Sequence, residues 1–204
     1  IFEKMKKIGL YFGTFNPIHV GHLIIANYMA DYTNLDEIWL IVSPQNPLKK
    51  KESLLADYHR LNLVRIGIEN NNKLKASDIE FNLSKPSYTI HTLIHLKEKH
   101  PDYHFNLIMG ADNLRSFNKW KNHNEIIKEH NIYVYPRILT EQELKEKESI
   151  EQPRFEHENI IHCDAPMMKI SSSFIRAAIK NKKDVQYLLT EPVFKYVEEM
   201  NFYK

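Results

Sequence analysis

Two histidines three residues apart, His19 and His22, stand in a stretch from Gly13 to His22 that reads GTFNPIHVGH. In the first turn of a helix that spacing points both rings the same way, so both can donate hydrogen bonds to oxygens of one polyphosphate. Gly13 permits a close backbone approach, and Pro17 fixes the turn. The helix that follows offers unpaired N–H groups at the positive end of its dipole, which suits a phosphate. Zinc is the weaker option, because a histidine pair needs a third ligand and the neighbouring sequence supplies none at a familiar spacing. Read alone, the stretch is also compatible with an ordinary strand-turn-helix joint carrying two surface histidines.

A second constellation lies near the far end, where Ile170 to Arg176 reads ISSSFIR. Ser171 or Ser172 can cap a helix, leaving further N–H groups free, and Arg176 sits about one turn inside with a forked guanidinium suited to phosphate oxygens. As a lone string this is a capped helix. Between the two stretches, Gly110 precedes Asp112, whose carboxylate can accept from both hydroxyls of a ribose or can cap a helix. Trp120 has a flat face for stacking, and its polar neighbours Asn118, Lys119, Lys121 and Asn122 favour a partly exposed ring over a core one. The loop Pro44 to Lys51, PQNPLKKK, sets Lys49, Lys50 and Lys51 beyond the end of a strand, as phosphate contacts or as a solvated basic loop.

The elements that must position these groups follow from hydrophobic spacing. Ile8 to Phe12 reads as a buried strand, and Leu23 to Tyr32 has helical spacing at Leu23, Ile24, Asn27 and Ala30. Further strands are predicted at Glu37 to Val42, Leu74 to Phe81, Phe105 to Met109, Ile132 to Tyr135 and Asn159 to Cys163. Helices are predicted over Asp57 to Glu69, with Arg60 and Arg65 off its core face, and over Tyr88 to Lys99, with Ser87 as N-cap. Short helical pieces are expected around Leu114 and over His123 to Glu129, and two last helices over Ser172 to Asn181 and Pro192 to Met200. Alternation of strands and helices argues for an α/β fold: a Rossmann-like, doubly wound parallel sheet of about six strands, covered by helices on both faces. In such sheets ligands bind beyond the carboxyl ends of the strands, where the motifs fall.

With 204 residues the chain reads as one domain, residues 1–204, with an exposed polar insertion over 139–158. It opens with Ile1, so either Met5 is the natural start and residues 1–5 include an appended remnant, or the first Met is lost. The 28 basic and 26 acidic residues nearly balance, which argues against a nucleic-acid binder and makes phosphate binding local. The single Cys163 cannot form an intramolecular disulfide, and no run looks like a membrane span or signal peptide. A cytoplasmic protein without membrane partners is expected; self-association is left open.

The residues Gly13 to His22 resemble the T-x-x-H-x-G-H signature of a nucleotidyltransferase superfamily, and ISSSFIR resembles its I-S-S/A-T-x-I-R element, with Ser173 in place of the usual Thr. Within that superfamily, Pro86-Ser87-Tyr88-Thr89, Gly110-Ala111-Asp112, Trp120 and the closing LLTEPVFKYV of Leu188 to Val197 resemble the nicotinate-nucleotide adenylyltransferase family. The resemblance runs from Ile8 to about Tyr203. It departs at Asn46-Pro47-Leu48-Lys49, which lacks the family's histidine, and at Tyr135-Pro136-Arg137, which replaces a glycine-containing turn and leaves Arg137 as a phosphate contact carried over with less support.

The resemblance implies adenylyl transfer from ATP to nicotinate mononucleotide, with pyrophosphate released and Mg²⁺ carried by the ATP phosphates. It implies His19, His22 and Arg176 as the catalytic groups. It implies ATP binding by Gly13, Thr14, Phe15, His19, His22, Gly110, Asp112, Ile170, Ser171, Ser172 and Arg176, and substrate binding by Asn16, Lys49, Tyr88, Thr89 and Trp120. No dedicated protein metal site is implied. If Ser87 caps its helix, the N–H groups of Tyr88 and Thr89 are donors for the pyridine carboxylate.

Overall fold

In the computed structural model, which describes residues 5–44, 54–138 and 155–204, the strand Glu37–Val42 (β2) is buried along its whole length. Its side chains alternate between two cores: Ile38, Leu40 and Val42 point to one, Trp39 and Ile41 to the other. A strand apolar on both faces must lie inside a covered sheet. It does: six strands, β1 (Lys6–Gly13), β2, β3 (Leu74–Ser77), β4 (Tyr103–Gly110), β5 (Ile132–Tyr135) and β6 (Ile160–His162), form one sheet in the order β3-β2-β1-β4-β5-β6. All five pairings are parallel. The predicted doubly wound sheet is therefore the observed one.

Helices cover both faces. On one, α1 (Val20–Tyr32), α2 (Asp57–Ile68), α6 (Ser172–Lys180) and α7 (Glu191–Glu199) bury Met29, Val64, Ile175 and Val197. On the other, α3 (Thr89–Lys99), the single-turn α4 (Ala111–Leu114) and α5 (His123–Glu129) bury Leu93, Leu96, Leu114, Ile126 and Ile127. No described helix is long and apolar enough to cross a membrane.

Several boundaries differ from expectation for physical reasons. The third strand ends at Ser77, because a 3-10 turn over Ile79–Asn82 buries Glu80. Helix α1 starts at Val20 and buries Gly21, Ile25, Ala26, Met29 and Ala30; Asn27, expected on the core stripe, is exposed. Arg60, expected off the core face of α2, is wholly buried, whereas Arg65 is exposed. Ser87 does not cap α3; Tyr88 occupies the N-cap position. Lys49 and most of the polar stretch 139–158 lie outside the described residues.

The sheet order reverses direction of travel between β1 and β4. Gly13 ends β1 and Gly110 ends β4, so both glycines stand at the crevice where a doubly wound sheet accepts a ligand.

Candidate functional site

The crevice is built on three helix N-termini that converge on the carboxyl ends of β1 and β4. The first belongs to α1. His19 is its N-cap, in extended backbone conformation, and His22 is its third residue. The main-chain N–H of His19 donates to Nδ1 of His22 at 3.2 Å, and the two rings stack with centroids 3.7 Å apart. The sequence spacing thus places the rings together, as expected. His19 is 5 % exposed, and its Nδ1 has no hydrogen-bond partner among the described residues. Burial, with the nearby Arg137 charge second, lowers its pKa to about 4, so it is neutral at pH 7.

Upstream, the loop is tightly held. Phe15 adopts a left-handed φ of 45° and packs its ring 5.1 Å from that of His22. Asn16 is almost fully buried, and its side-chain oxygen accepts from the Leu55 N–H and from the Tyr203 hydroxyl at 2.8 Å. Its carboxamide oxygen is therefore committed to internal donors. Gly21 has its own constraint: a Cβ there would sit 2.5 Å from Ile170. The glycine in the HVGH string is the place where the far motif packs against the near one.

The second N-terminus, that of α6, carries the rest of that packing. Ser171 is the N-cap and accepts from the Phe174 N–H at 3.2 Å. Ser172 instead donates its hydroxyl to the Pro17 carbonyl at 2.9 Å, and Arg176 Nη1 donates to the Asn16 carbonyl at 2.8 Å. The two motifs, about 150 residues apart in sequence, are joined by direct hydrogen bonds. Arg176 is half-buried, and its Nη2 also meets the Ser173 hydroxyl at 3.2 Å.

Beyond β4, Asp112 and Arg137 form an ion pair, Nη1 to Oδ2, of 2.8 Å. The pairing engages both the expected ribose acceptor, Asp112, and Arg137, the phosphate contact expected from the resemblance. Gly110 is required here, since a Cβ would lie 2.5 Å from Asp112 Oδ1 and 3.4 Å from the Tyr135 ring. Tyr135 and Tyr11 bring their hydroxyls within 3.3 Å, and burial raises the pKa of both phenols.

The third N-terminus belongs to α3. Tyr88 has no side-chain cap bond, so the orphan first-turn donors are the N–H groups of Thr89 and Ile90, one residue later than expected. The reason is Glu80. This carboxylate, 3 % exposed, accepts from the Thr92 hydroxyl at 2.8 Å and from the Ser87 hydroxyl at 3.3 Å, which diverts Ser87 from the helix end. Lys121 Nζ lies 4.9 Å over the Tyr88 ring and 3.3 Å from His91 Nε2, which draws the turn carrying Trp120 against the start of α3. Trp120 is half-buried and packs 5.4 Å from Phe117.

Hydrophobic spacing does not reveal Glu80, Tyr203 or Lys121. Arg60 left one legible sign, an Asp57 three residues before it on the same helix, with which it forms a 2.6 Å ion pair. For metals, no group of three or more His, Cys, Asp or Glu stands together among the described residues. The arrangement offers phosphate donors on one side of the crevice and an uncapped helix end beside an aromatic ring on the other.

Comparison with known proteins identifies the family. The cytidylyltransferase-like family profile matches residues 10–178. A protein of Flavobacterium psychrophilum named "Probable nicotinate-nucleotide adenylyltransferase" is 55 % identical over 198 residues, covering 97 % of this chain and 99 % of that one. Its counterpart in Cytophaga hutchinsonii is 47 % identical, covering 97 % and 98 %. Among solved structures, the fold resembles Plasmodium falciparum nicotinic acid mononucleotide adenylyltransferase complexed with NaAD, at 23 % identity and a TM-score of 0.73, with 97 % of each chain covered.

Proposed function

The chain belongs to the nicotinate-nucleotide adenylyltransferase family, and from that membership we propose how its crevice performs the reaction. The enzyme transfers the adenylyl group of ATP to nicotinate mononucleotide, giving nicotinate adenine dinucleotide and pyrophosphate in NAD biosynthesis. A phosphate oxygen of the mononucleotide attacks the α-phosphorus of ATP; the bond from that phosphorus to the bridging oxygen breaks, and pyrophosphate leaves with the electron pair. No protein nucleophile is needed. Catalysis rests on aligning the two phosphates in line and on neutralising charge that builds on the α-phosphate and the leaving group.

The roles assigned to the residues combine the family resemblance with the geometry of the described residues. Nδ1 of His22 accepts from the His19 N–H, so in the tautomer this bond selects the proton sits on Nε2, the nitrogen we assign to a phosphate oxygen. His19, kept neutral by burial, stands beside it as a second donor, and Arg176 approaches from α6 with the Ser171 and Ser172 amides. Gly13, Thr14 and Phe15 supply the main-chain wall of the ATP site, Ile170 backs it, and Gly110 and Asp112 take the ribose. Thr89 and Ile90 amides face the pyridine carboxylate, Tyr88 and Trp120 flank the ring, and Asn16 completes the described part of the mononucleotide site; Lys49, outside the described residues, is assigned to it from the family resemblance alone.

Nucleotidyl transfer in this family is divalent-metal dependent, and Mg²⁺ is the ion we assign. A hard cation prefers oxygen ligands, and the clustered nitrogens of His19 and His22 are poor ones; phosphate oxygens and water would therefore hold it. When bound, it supplies further neutralisation of phosphate charge. The partners are these small molecules, and the reading treats residues 1–204 as one cytoplasmic domain without nucleic-acid or membrane partners.

The observation that carries the reading is the bonded contact between the two phosphate motifs, Arg176 to Asn16 and Ser172 to Pro17. The test is incubation with ATP, Mg²⁺ and each pyridine mononucleotide, with products identified by mass. Nicotinate adenine dinucleotide and pyrophosphate are expected. Absence of any dinucleotide product contradicts the proposal.

A further inference from the structure

Arg60 is the largest side chain among the described residues with no exposure at all. Removing a guanidinium from water is costly, the cost is offset only where its donors find partners, and an apolar residue in its place is often no less stable. Here every donor nitrogen is used. Nε donates to the Leu55 carbonyl at 3.0 Å, Nη1 to the Thr14 carbonyl at 2.6 Å and the Ser43 carbonyl at 2.8 Å, and Nη2 to the Pro44 carbonyl at 3.3 Å and to Asp57 Oδ1 at 2.6 Å.

Four of the five acceptors are main-chain carbonyls at the ligand-facing ends of neighbouring elements. Thr14 follows β1, Ser43 and Pro44 follow β2, and Leu55 precedes α2. The Thr14–Phe15 peptide is not among the cis bonds, so its carbonyl and its N–H point in opposite directions. With Arg60 gripping the carbonyl, the Phe15 N–H faces away from the guanidinium. Phe15 is 1 % exposed and left-handed, yet its N–H makes no hydrogen bond among the described residues. Buried main-chain donors are rarely left without a partner, and amides around a left-handed residue commonly form anion cradles.

We propose that Arg60 is a positioning residue for adenylyl transfer: it fixes the Thr14–Phe15 peptide from behind, so that the Phe15 N–H is presented to a substrate phosphate. This rests on the crevice being the nucleotidyltransferase site. Arg60 touches no substrate. Its contribution is the placement of a neutral donor, which an error of about 1 Å would cost on the order of a hundred-fold in rate.

Two measurements test it. In the first, Arg60→Lys is compared with Asp57→Asn. Lysine keeps the charge but cannot reproduce the fork, whereas the Asp57 change spares all four carbonyl contacts. Among folded variants, Arg60→Lys should lose about 10- to 100-fold in kcat, and Asp57→Asn should stay near the wild-type value. A folded Arg60→Lys with wild-type kcat, or equal kinetic losses in the two variants, overturns the assignment. The second measurement needs no variant. The amide resonance of Phe15 in the wild-type protein is followed during titration with inorganic tripolyphosphate and, separately, with nicotinate mononucleotide. A shift with the first assigns the donor to ATP, and a shift with the second assigns it to the mononucleotide phosphate. No shift with either overturns the proposal, even if product formation has already established the enzyme's reaction.

Discussion

The main-chain N–H of His19 donates to Nδ1 of His22 at 3.2 Å while the two imidazoles stack 3.7 Å apart. One histidine thereby sets the tautomer of the other, with the His22 proton on Nε2. His22→Ala should lower kcat about a hundred-fold or more, with little change in binding of nicotinate mononucleotide. His19→Ala should act in the same direction. Steady-state kinetics check this; near-normal turnover in either variant removes that histidine from the proposed role.

The buried state of His19 also predicts a pH dependence of stability. Its pKa is about 4 in the folded protein, against 6.5 for the ordinary imidazole. The unfolded chain therefore binds the proton first, and stability rises with pH between these values. The contribution, of the order of 3 kcal/mol, is complete above pH 6.5 and lost as pH falls to about 4. His104 and His130, whose pKa values burial also lowers, act in the same sense. Urea unfolding at pH 4.5 to 7.5 should show a shallower slope for His19→Gln than for the wild type. Equal slopes would place the titration elsewhere.

Arg176→Lys should be impaired although charge is kept, because an ammonium lacks the planar fork that fixes one donor on the Asn16 carbonyl while directing others to a phosphate. Ser172→Ala, which removes only the bond to the Pro17 carbonyl, should cost about 1 kcal/mol of stability and much less activity. The comparison of kcat with melting temperature separates the two; unchanged kinetics in Arg176→Lys reduces the second motif to a helix cap.

The sheet and the two phosphate motifs were legible because their signals are local. Ile38 to Val42 is apolar throughout, and the observed β2 has the predicted bounds, Glu37 to Val42. The rest failed where long-range contacts decide. Arg60 looks like a surface residue to any periodicity argument, since its four carbonyl acceptors come from three separate chain segments. Ser87 has the chemistry of an N-cap, but Glu80, seven residues earlier, takes its hydroxyl. The Asp112–Arg137 pair joins residues 25 apart that meet only because β4 and β5 are neighbours in the sheet.

Trp120 is half-buried beside the α3 N-terminus, whereas Trp39 lies in β2 with its Nε1–H on Glu37 at 3.0 Å. Stacking of the pyridine ring on Trp120 should contribute roughly 1–3 kcal/mol, by analogy with bases on aromatic side chains. Nicotinate mononucleotide should therefore quench the emission of Trp120 and leave Trp39 largely unaffected. A Trp120→Phe variant that keeps the full quench contradicts this placement.

The central claim is that the pyridine carboxylate is read at the uncapped start of α3. Glu80 holds the Ser87 and Thr92 hydroxyls, so the Thr89 and Ile90 N–H groups are left at the positive end of the helix. A carboxylate is acceptor-only and charged, and it satisfies those donors; a carboxamide turns an NH₂ toward them and brings no charge. An unsatisfied buried group costs about 1–3 kcal/mol, so kcat/KM should favour nicotinate over nicotinamide mononucleotide by roughly ten- to two-hundred-fold. Measured in parallel at one ATP and Mg²⁺ concentration, that preference is the predicted result, and equal values or a preference for the amide would contradict the account.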